Sequence, residues 1–384
     1  MLELLFLLLP VAAASGWLGA RHRYARIKPP RGVANGYFQG LNYLLNEQPD
    51  KAIEVFTRMV ELDEETVEAQ LALGNLFRRR GEVDRAIRLH QNIFARSDLN
   101  PDQRIQALLE LGQDYMRAGL LDRAESLFLE LLDVDAHSIP ALRCLVDIYQ
   151  QEKDWQQAIA TLSRLGNLTG PPVHQSLAHY YCELAECVVG DARLIWQHLD
   201  QALAIDSHCV RASLLIAQQY IHEQNYSAAI VTLQQVEQQD PNLLPEIMEP
   251  LAHCFRALGN PQGLTDYLWA LINRCHNTSL IIIGAEIARQ QGGDEAAMEF
   301  LTNKLRQHPS VRGTKRLLEL NLAYCHGETQ RRLGVINDLT ERLLAEKPAY
   351  QCSHCGFTGK SLHWQCPGCK SWGTVKPIQG VEGD

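Results

Sequence analysis

From residue 33 to about residue 346, apolar residues recur three and four positions apart, and only short turns interrupt them. That spacing places one apolar stripe on each segment and predicts amphipathic α-helices throughout. The pattern also repeats. A small residue returns in one context at Ala52, Ala86, Ala124 and Ala158, and Ile195, Ala229, Leu264 and Ala296 hold the same place. The steps between them are 34, 38, 34, 37, 34, 35 and 32 residues. A second small residue stands twelve positions earlier in five units, at Gly40, Gly74, Gly112, Ala217 and Gly284. Aromatic residues fill the next turn at Tyr43, Phe77, Tyr115, Tyr149, Tyr220 and Phe255. Each unit therefore reads as two helices that cross closely at the small residues, with the aromatic filling the space between neighbours. One unit cannot bury its apolar face alone, so stacking is obligatory. The 314 residues of this stretch hold about nine units of 34. The fifth, around 176–209, and the last two are degenerate. Four extra residues near Asn100-Pro101-Asp102 predict a longer turn.

The unit "LALGNLFRRRGEVDRAIRLHQNIF" and its near copy "LELGQDYMRAGLLDRAESLFLELL" resemble the tetratricopeptide repeat (TPR), and the resemblance covers some 310 residues. It implies a superhelix whose concave face, lined by the first helix of each unit, binds peptides or partner helices. By register the concave positions of the second and third units include Asn75, Arg78, Arg79, Gln113 and Arg117. Such residues suit a clamp for a peptide carboxylate. The alternative is that Arg78, Arg79 and Arg80 form a solvated helix end, where basic side chains complement the dipole.

The first twenty residues follow a different pattern. Leu2 to Ala20 carries one charge, Glu3, and as a helix would reach about 28 Å, close to the thickness of a bilayer core. Arg21, Arg23, Arg26, Lys28 and Arg31 follow directly, and no Lys or Arg precedes the segment. The positive-inside rule predicts an anchor with its N-terminus outside and the rest of the chain in the cytoplasm. The rival is a cleaved signal peptide, which would carry its positive charge before the apolar core. Ala12, Gly16 and Ala20 fall four apart and could admit a second membrane helix, although small residues are common in such helices generally.

Charge narrows the classes further. The chain has 36 Lys and Arg against 45 Asp and Glu. With Glu3, the basic cluster at 21–31 and the last 35 residues set aside, 28 basic residues face 42 acidic ones. A body so acidic repels nucleic acid, and none is expected as a partner. Eleven cysteines, seven of them scattered singly, suit a reducing compartment rather than a disulfide framework.

The other four are chemically sharp. Cys352 and Cys355 are separated by two residues, as are Cys366 and Cys369, with ten residues between the pairs. Two C-x2-C turns supply four thiolates for a tetrahedral site, so one metal ion, iron or zinc, is expected. The last 35 residues are too few for a self-sufficient core. Metal binding worth on the order of 10–16 kcal/mol would supply the missing folding energy. Tyr350, Phe357, Trp364 and Trp372 are placed to cluster around the ion, and the core of this tail is expected to be separate from that of the repeats. The knuckles resemble rubredoxin; Gly356 fits its loop, whereas Lys370 stands where a matching glycine would be. His354 and His363 are surplus to four-coordination. No phosphate loop, H-E-x-x-H, G-x-S-x-G or dinucleotide fingerprint occurs, and the remaining histidines lack partners at ligand spacing. An enzyme is not expected.

The expected fold is all-α: a TPR helical-hairpin superhelix with one N-terminal transmembrane helix and a small C-terminal rubredoxin-like or zinc-ribbon metal module. Its expected parts are an anchor at 1–20, a basic juxtamembrane linker at 21–32, the array at 33–346 and the metal module at 347–384. In that order, "MLELLFLLLPVAAA", "LGNLFRRRGEVDRAIR" and "YQCSHCGFT…LHWQCPGCKSWGTVKPI" resemble the lipopolysaccharide assembly protein B family. The resemblance implies a single-pass protein of the Gram-negative inner membrane that restrains lipopolysaccharide synthesis. It implies an adaptor promoting degradation of the lipid A pathway deacetylase (LpxC) by the membrane protease FtsH, in contact with lipopolysaccharide assembly or signalling proteins; whether the chain also forms a homo-oligomer is left open by the sequence. It also implies that Cys352, Cys355, Cys366 and Cys369 ligate the metal, often iron. Two other classes remain open at this point: a redox carrier or sensor using the four-sulfur site, and a TPR docking factor for another membrane complex.

Overall fold

The computed structural model describes residues 31–62, 67–170, 173–275 and 277–379. The proposed anchor, with Ala12, Gly16 and Ala20, lies outside the described residues. Among those described, no helix is long and apolar enough to cross a membrane. The chain divides into two compact units, Met1–Glu152 and Lys153–Asp384.

The first unit holds seven helices among the described residues: α1 (Arg31–Leu45), α2 (Pro49–Leu62), α3 (Val67–Arg80), α4 (Val83–Phe94), α5 (Pro101–Arg117), α6 (Leu121–Val134) and α7 (Ile139–Glu152). Consecutive helices pack as hairpins, and α3, α5 and α7 also touch in series, forming an inner layer of first helices. The small residues work as their spacing predicts. Ala52, Ala86 and Ala124 are fully buried at the crossings. A Cβ on Gly40 would stand 2.6 Å from the Phe56 ring, and one on Gly112 would stand 2.5 Å from the Phe128 ring. The partner's ring fills the space that a side chain would need, which is why glycine stands there. The extra residues before the third unit do not all enter the turn. Asn100 and Gln103 form a reciprocal capping box and Pro101 occupies the first helical position, so α5 starts early and reaches 17 residues.

The second unit begins with α8 (Trp155–Thr169), α9 (His174–Cys187), α10 (Ala192–Ile205), α11 (Val210–His222) and α12 (Tyr226–Gln239). A 3-10 turn at Pro241–Leu243 leads to α13 (Leu244–Ala257), α14 (Pro261–Arg274), α15 (Thr278–Gln307), α16 (Val311–Leu322) and α17 (Gly327–Glu346). The degenerate fifth unit is still a full hairpin, α9 on α10, centred on buried Ala178, Cys182 and Ala202. In the last part α15 breaks at Gly293 (φ +79), and the fully buried small residue beyond the break is Ala297 rather than Ala296. Ile195 and Leu264, too large for a tight crossing, are only half-buried. The core of this unit runs through Leu233, Val236, Leu244, Ile247 and Leu251, all without exposed surface.

A three-stranded antiparallel sheet of order β2-β1-β3 ends the described chain, formed by β1 (Tyr350–Cys352), β2 (Thr358–Gly359) and β3 (Val375–Pro377). Gln351 faces Thr358 on one side and Lys376 on the other.

Candidate metal centre

Two turns of the same geometry bring the four cysteines together. In the first, the Gly356 amide donates to the Cys352 carbonyl at 3.0 Å; in the second, the Lys370 amide donates to the Cys366 carbonyl at 2.9 Å. Both residues that close the turns are left-handed, Gly356 at φ +77 and Lys370 at φ +61. Lys370 thus does the work of the missing glycine, at the cost in strain that any side chain carries in this region. Gly368 lies under the site, where a Cβ would press within 3.4 Å of Cys355 Sγ.

The four Sγ atoms all lie within 4.8 Å of one another. Cys352 and Cys369 are 3.8 Å apart and Cys355 and Cys366 are 3.6 Å apart. A tetrahedron with metal–sulfur bonds of about 2.3 Å has edges of about 3.8 Å, so the thiols are spaced for one tetrahedral ion. The surroundings favour thiolates. Hydrogen bonds from Ser371 and His354 draw the Cys369 thiol down to about 5. Burial opposes ionisation at Cys352, yet the Thr374 hydroxyl, 3.3 Å away, and the amides of Cys355 and His354 bring it to about 7. Despite the Phe357 amide, burial and the neighbouring sulfurs push Cys355 up to about 12. A cation, attracting all four sulfurs at once, relieves this competition for charge. Cys352 and Cys366 are buried, whereas Cys355 is exposed.

The aromatic residues of the tail divide between two tasks. Tyr350 and Phe357 pack beside the cysteines, with Leu362 and Val375. Trp364 and Trp372, expected in that same cluster, turn instead toward the helices. Trp372 is 5% exposed and enters a socket made by α8, α9 and α11. His179 stacks on it at 5.2 Å between centroids, Tyr180 and Trp155 meet it edge-on at 5.8 and 6.2 Å, and the Arg211 guanidinium lies 5.8 Å away. Trp364 and Leu362 join the core cluster of α11–α15. Polar contacts fix the rest: the Tyr350 hydroxyl donates to Glu246 at 2.6 Å, Lys376 pairs with Asp240, and Lys360 donates to the Ala345 carbonyl at 3.0 Å. The expectation of a separate core is therefore corrected. The tail is too small to bury two tryptophans by itself, and the helices bury them instead. Trp155, His179 and Arg211 carry no sequence signal of this role, because they lie in ordinary repeat helices far from the tail.

Residues 350–377 match the rubredoxin metal binding domain family, and residues 38–98 match the tetratricopeptide repeat family. The chain is 39% identical over its whole length to all of lipopolysaccharide assembly protein B from Escherichia coli (strain K12). The Haemophilus influenzae protein of the same name is 32% identical, again with both chains covered completely. The chain belongs to the lipopolysaccharide assembly protein B family. Among solved structures, a TPR protein of Thermus thermophilus aligns with 48% of this chain and 98% of its own at 18% identity, with a TM-score of 0.33.

In this member of the lipopolysaccharide assembly protein B family, the concave candidates separate into two groups. Arg78 is drawn into the array. It donates to Asp114 at 2.7 Å, Glu110 at 2.6 Å, Asn75 at 2.8 Å and Gln113 at 2.9 Å. Burial works against its charge, but Glu110 and Asp114 hold it protonated above its ordinary range. Asn75 and Gln113 are thereby engaged in joining α3 to α5. Arg79 and Arg117 are exposed at the rim of a hollow of about 480 Å³ that Gln113 and Met116 also line.

Proposed function

We propose that this protein is an inner-membrane adaptor that restrains lipopolysaccharide synthesis by promoting FtsH-dependent degradation of the deacetylase LpxC. The full-length identity to proteins named for lipopolysaccharide assembly carries this reading. In it, residues 1–20 anchor the chain, 21–32 form a basic linker, and the cytoplasmic TPR array holds partners with Arg79 and Arg117 on its binding face, beside the Asn75, Arg78 and Gln113 cluster that joins α3 to α5. Assembly or signalling proteins of the membrane, and a second copy of the chain, are further partners. The metal has a structural part, since Trp372 and Trp364 tie the module into the array; a freely diffusing electron carrier has no use for such an attachment. The ion is iron or zinc. The visible absorption of ferric thiolate in protein purified from its own host distinguishes the two, because zinc is colourless.

An adaptor at the bilayer raises the effective concentration of a cytosolic enzyme near a membrane protease. Deleting residues 1–20 should leave a folded array that binds the deacetylase yet fails to lower its level in cells. Replacing the segment with an unrelated anchor should restore the effect if tethering suffices. Failure of that replacement assigns a direct role to the stripe of Ala12, Gly16 and Ala20. Full activity of the unanchored chain at native abundance overturns the reading.

A further inference from the structure

α17 closes the array and carries two apolar sides. The first, with Leu333 and Leu344, is half-buried and packs on α16. The second holds Val335, Ile336, Leu339 and Leu343, which fall within about 100° of arc on a helix. These four are 48–63% exposed. The end of a helical stack has no neighbour to cover it, and solenoids therefore finish in a polar outer face. α17 breaks that rule. Four adjoining aliphatic side chains in water mark a surface that another body covers.

The charges around the stripe identify that body. α17 carries Arg331, Arg332 and Arg342 against Glu328, Asp338, Glu341 and Glu346. An anionic bilayer surface calls for a cationic excess, which this helix lacks. A strongly acidic or basic protein has no opposite field to meet here either. Asp338 and Arg342 are more telling. They stand four residues apart on one flank of the stripe, in the order that favours pairing along a helix. Yet both are exposed, and no ion pair joins them to each other or to any described residue. Each is open to a charge from outside the chain.

A second copy of the helix answers both features. In an antiparallel pair about a two-fold axis at Leu339, residues equidistant from the axis face each other. Leu339 then meets its own copy, and Val335 meets the partner's Leu343. The same flank of both helices lies on one side of the contact. Asp338 and the partner's Arg342 come within about 3 Å of each other along the helix direction, at 1.5 Å per residue, and the symmetry makes that pair twice. Burial of the stripe drives association, and the two ion pairs set its register. We propose that α17 is the contact through which two copies of this protein associate, antiparallel and centred on Leu339. The inference rests on the adaptor reading, in which a second copy is a partner and a shared bilayer raises the effective concentration of so small a contact.

Sedimentation velocity of the full-length protein in detergent, over a range of concentrations, tests this. A monomer–dimer equilibrium is expected. Leu339→Glu puts two carboxylates on the two-fold axis and should raise the dissociation constant by about tenfold or more. Helicity and melting of the single chain should not change, because Leu339 is exposed there. Asp338→Arg and Arg342→Glu each set like charges across the contact and should weaken the dimer about threefold. The double variant, Asp338→Arg with Arg342→Glu, swaps both pairs and should restore it. A monomer at every concentration, a dimer indifferent to Leu339→Glu, or a double variant that regains nothing overturns the contact. None of those outcomes bears on the adaptor reading, which fails separately if the unanchored chain lowers deacetylase levels at native abundance.

Discussion

His90 stands where α2 and α6 place Phe56 and Phe128, sixteen residues after the glycine of its hairpin. Its ring fills the same gap, but a buried imidazole needs hydrogen bonds, and Nδ1 meets Asp114 at 2.5 Å. Asp114, fully buried, in turn requires Arg78. One substitution of ring type therefore explains why a charged network runs through the inner layer. Arg78→Leu should cost about 3–5 kcal/mol, because Glu110 and Asp114 are left buried without a cation. Arg79→Leu, at an exposed position, should stay within about 0.5 kcal/mol. Denaturant titrations of the two variants check the contrast, and equal effects would show that the network is not what holds α3 to α5. A second histidine gives a pH effect. Burial, with Arg211 and Lys376 nearby, lowers the pKa of His179 to about 3. The unfolded chain, with a histidine pKa of about 6.5, takes up the proton first. Stability from this site is therefore complete above about 6.5 and declines as pH falls toward 3. His179→Phe keeps a ring against Trp372 and removes the proton site, so its melting temperature should fall less between pH 7 and pH 4. Parallel curves for the two proteins would locate the acid sensitivity elsewhere.

At the level of elements, the paired knuckles offer a direct comparison of glycine with a side chain in one backbone geometry. Lys370→Gly relieves a left-handed lysine and should stabilise the module, by no more than about 1 kcal/mol, since glycine also frees the unfolded chain. Gly356→Ala places a side chain at φ +77 and should destabilise it by about 1–2 kcal/mol. Rates of metal loss to a chelator, compared for the two variants, should move in opposite directions. The same elements show what sequence can carry. Helix positions were legible because burial imposes a period of 3.6, and the thiol set was legible because a C-x2-C turn is a local device. The hairpin at 176–209 was weakly marked, since Ile195 stands where a small residue signals the crossing, yet it forms because its apolar face remains. The early start of α5 was readable in principle, as Asn100, Pro101 and Gln103 spell a capping box. The socket for Trp372 was not readable. Trp155, His179 and Arg211 come from three helices and meet the tail only through tertiary packing, which has no period and no fixed spacing.

For the whole molecule, the metal module is both guest and fastener within its unit. Trp372 lies three residues beyond Cys369, so whatever holds the cysteines together also holds the indole in its socket. Chelation, or Cys366→Ser, should therefore reduce amide-exchange protection in α9 and α11 as well as in residues 350–377. Helices α3 to α6, whose packing partners lie within the first unit, serve as the reference and should keep theirs. Loss confined to residues 350–377 would mean that the helices hold their arrangement without the indole. The arrangement also sets a delay during synthesis. Tyr180 leaves the ribosome 192 residues before Trp372, which at 5–20 residues per second is about 10–40 s. Throughout that interval, and for as long afterwards as no ion is captured, the apolar lining of α8 and α9 waits uncovered and open to chaperones and proteases. Starvation for the ion should therefore shorten the half-life of newly made chains before any mature molecule is lost, and a pulse-chase in metal-depleted cells checks this.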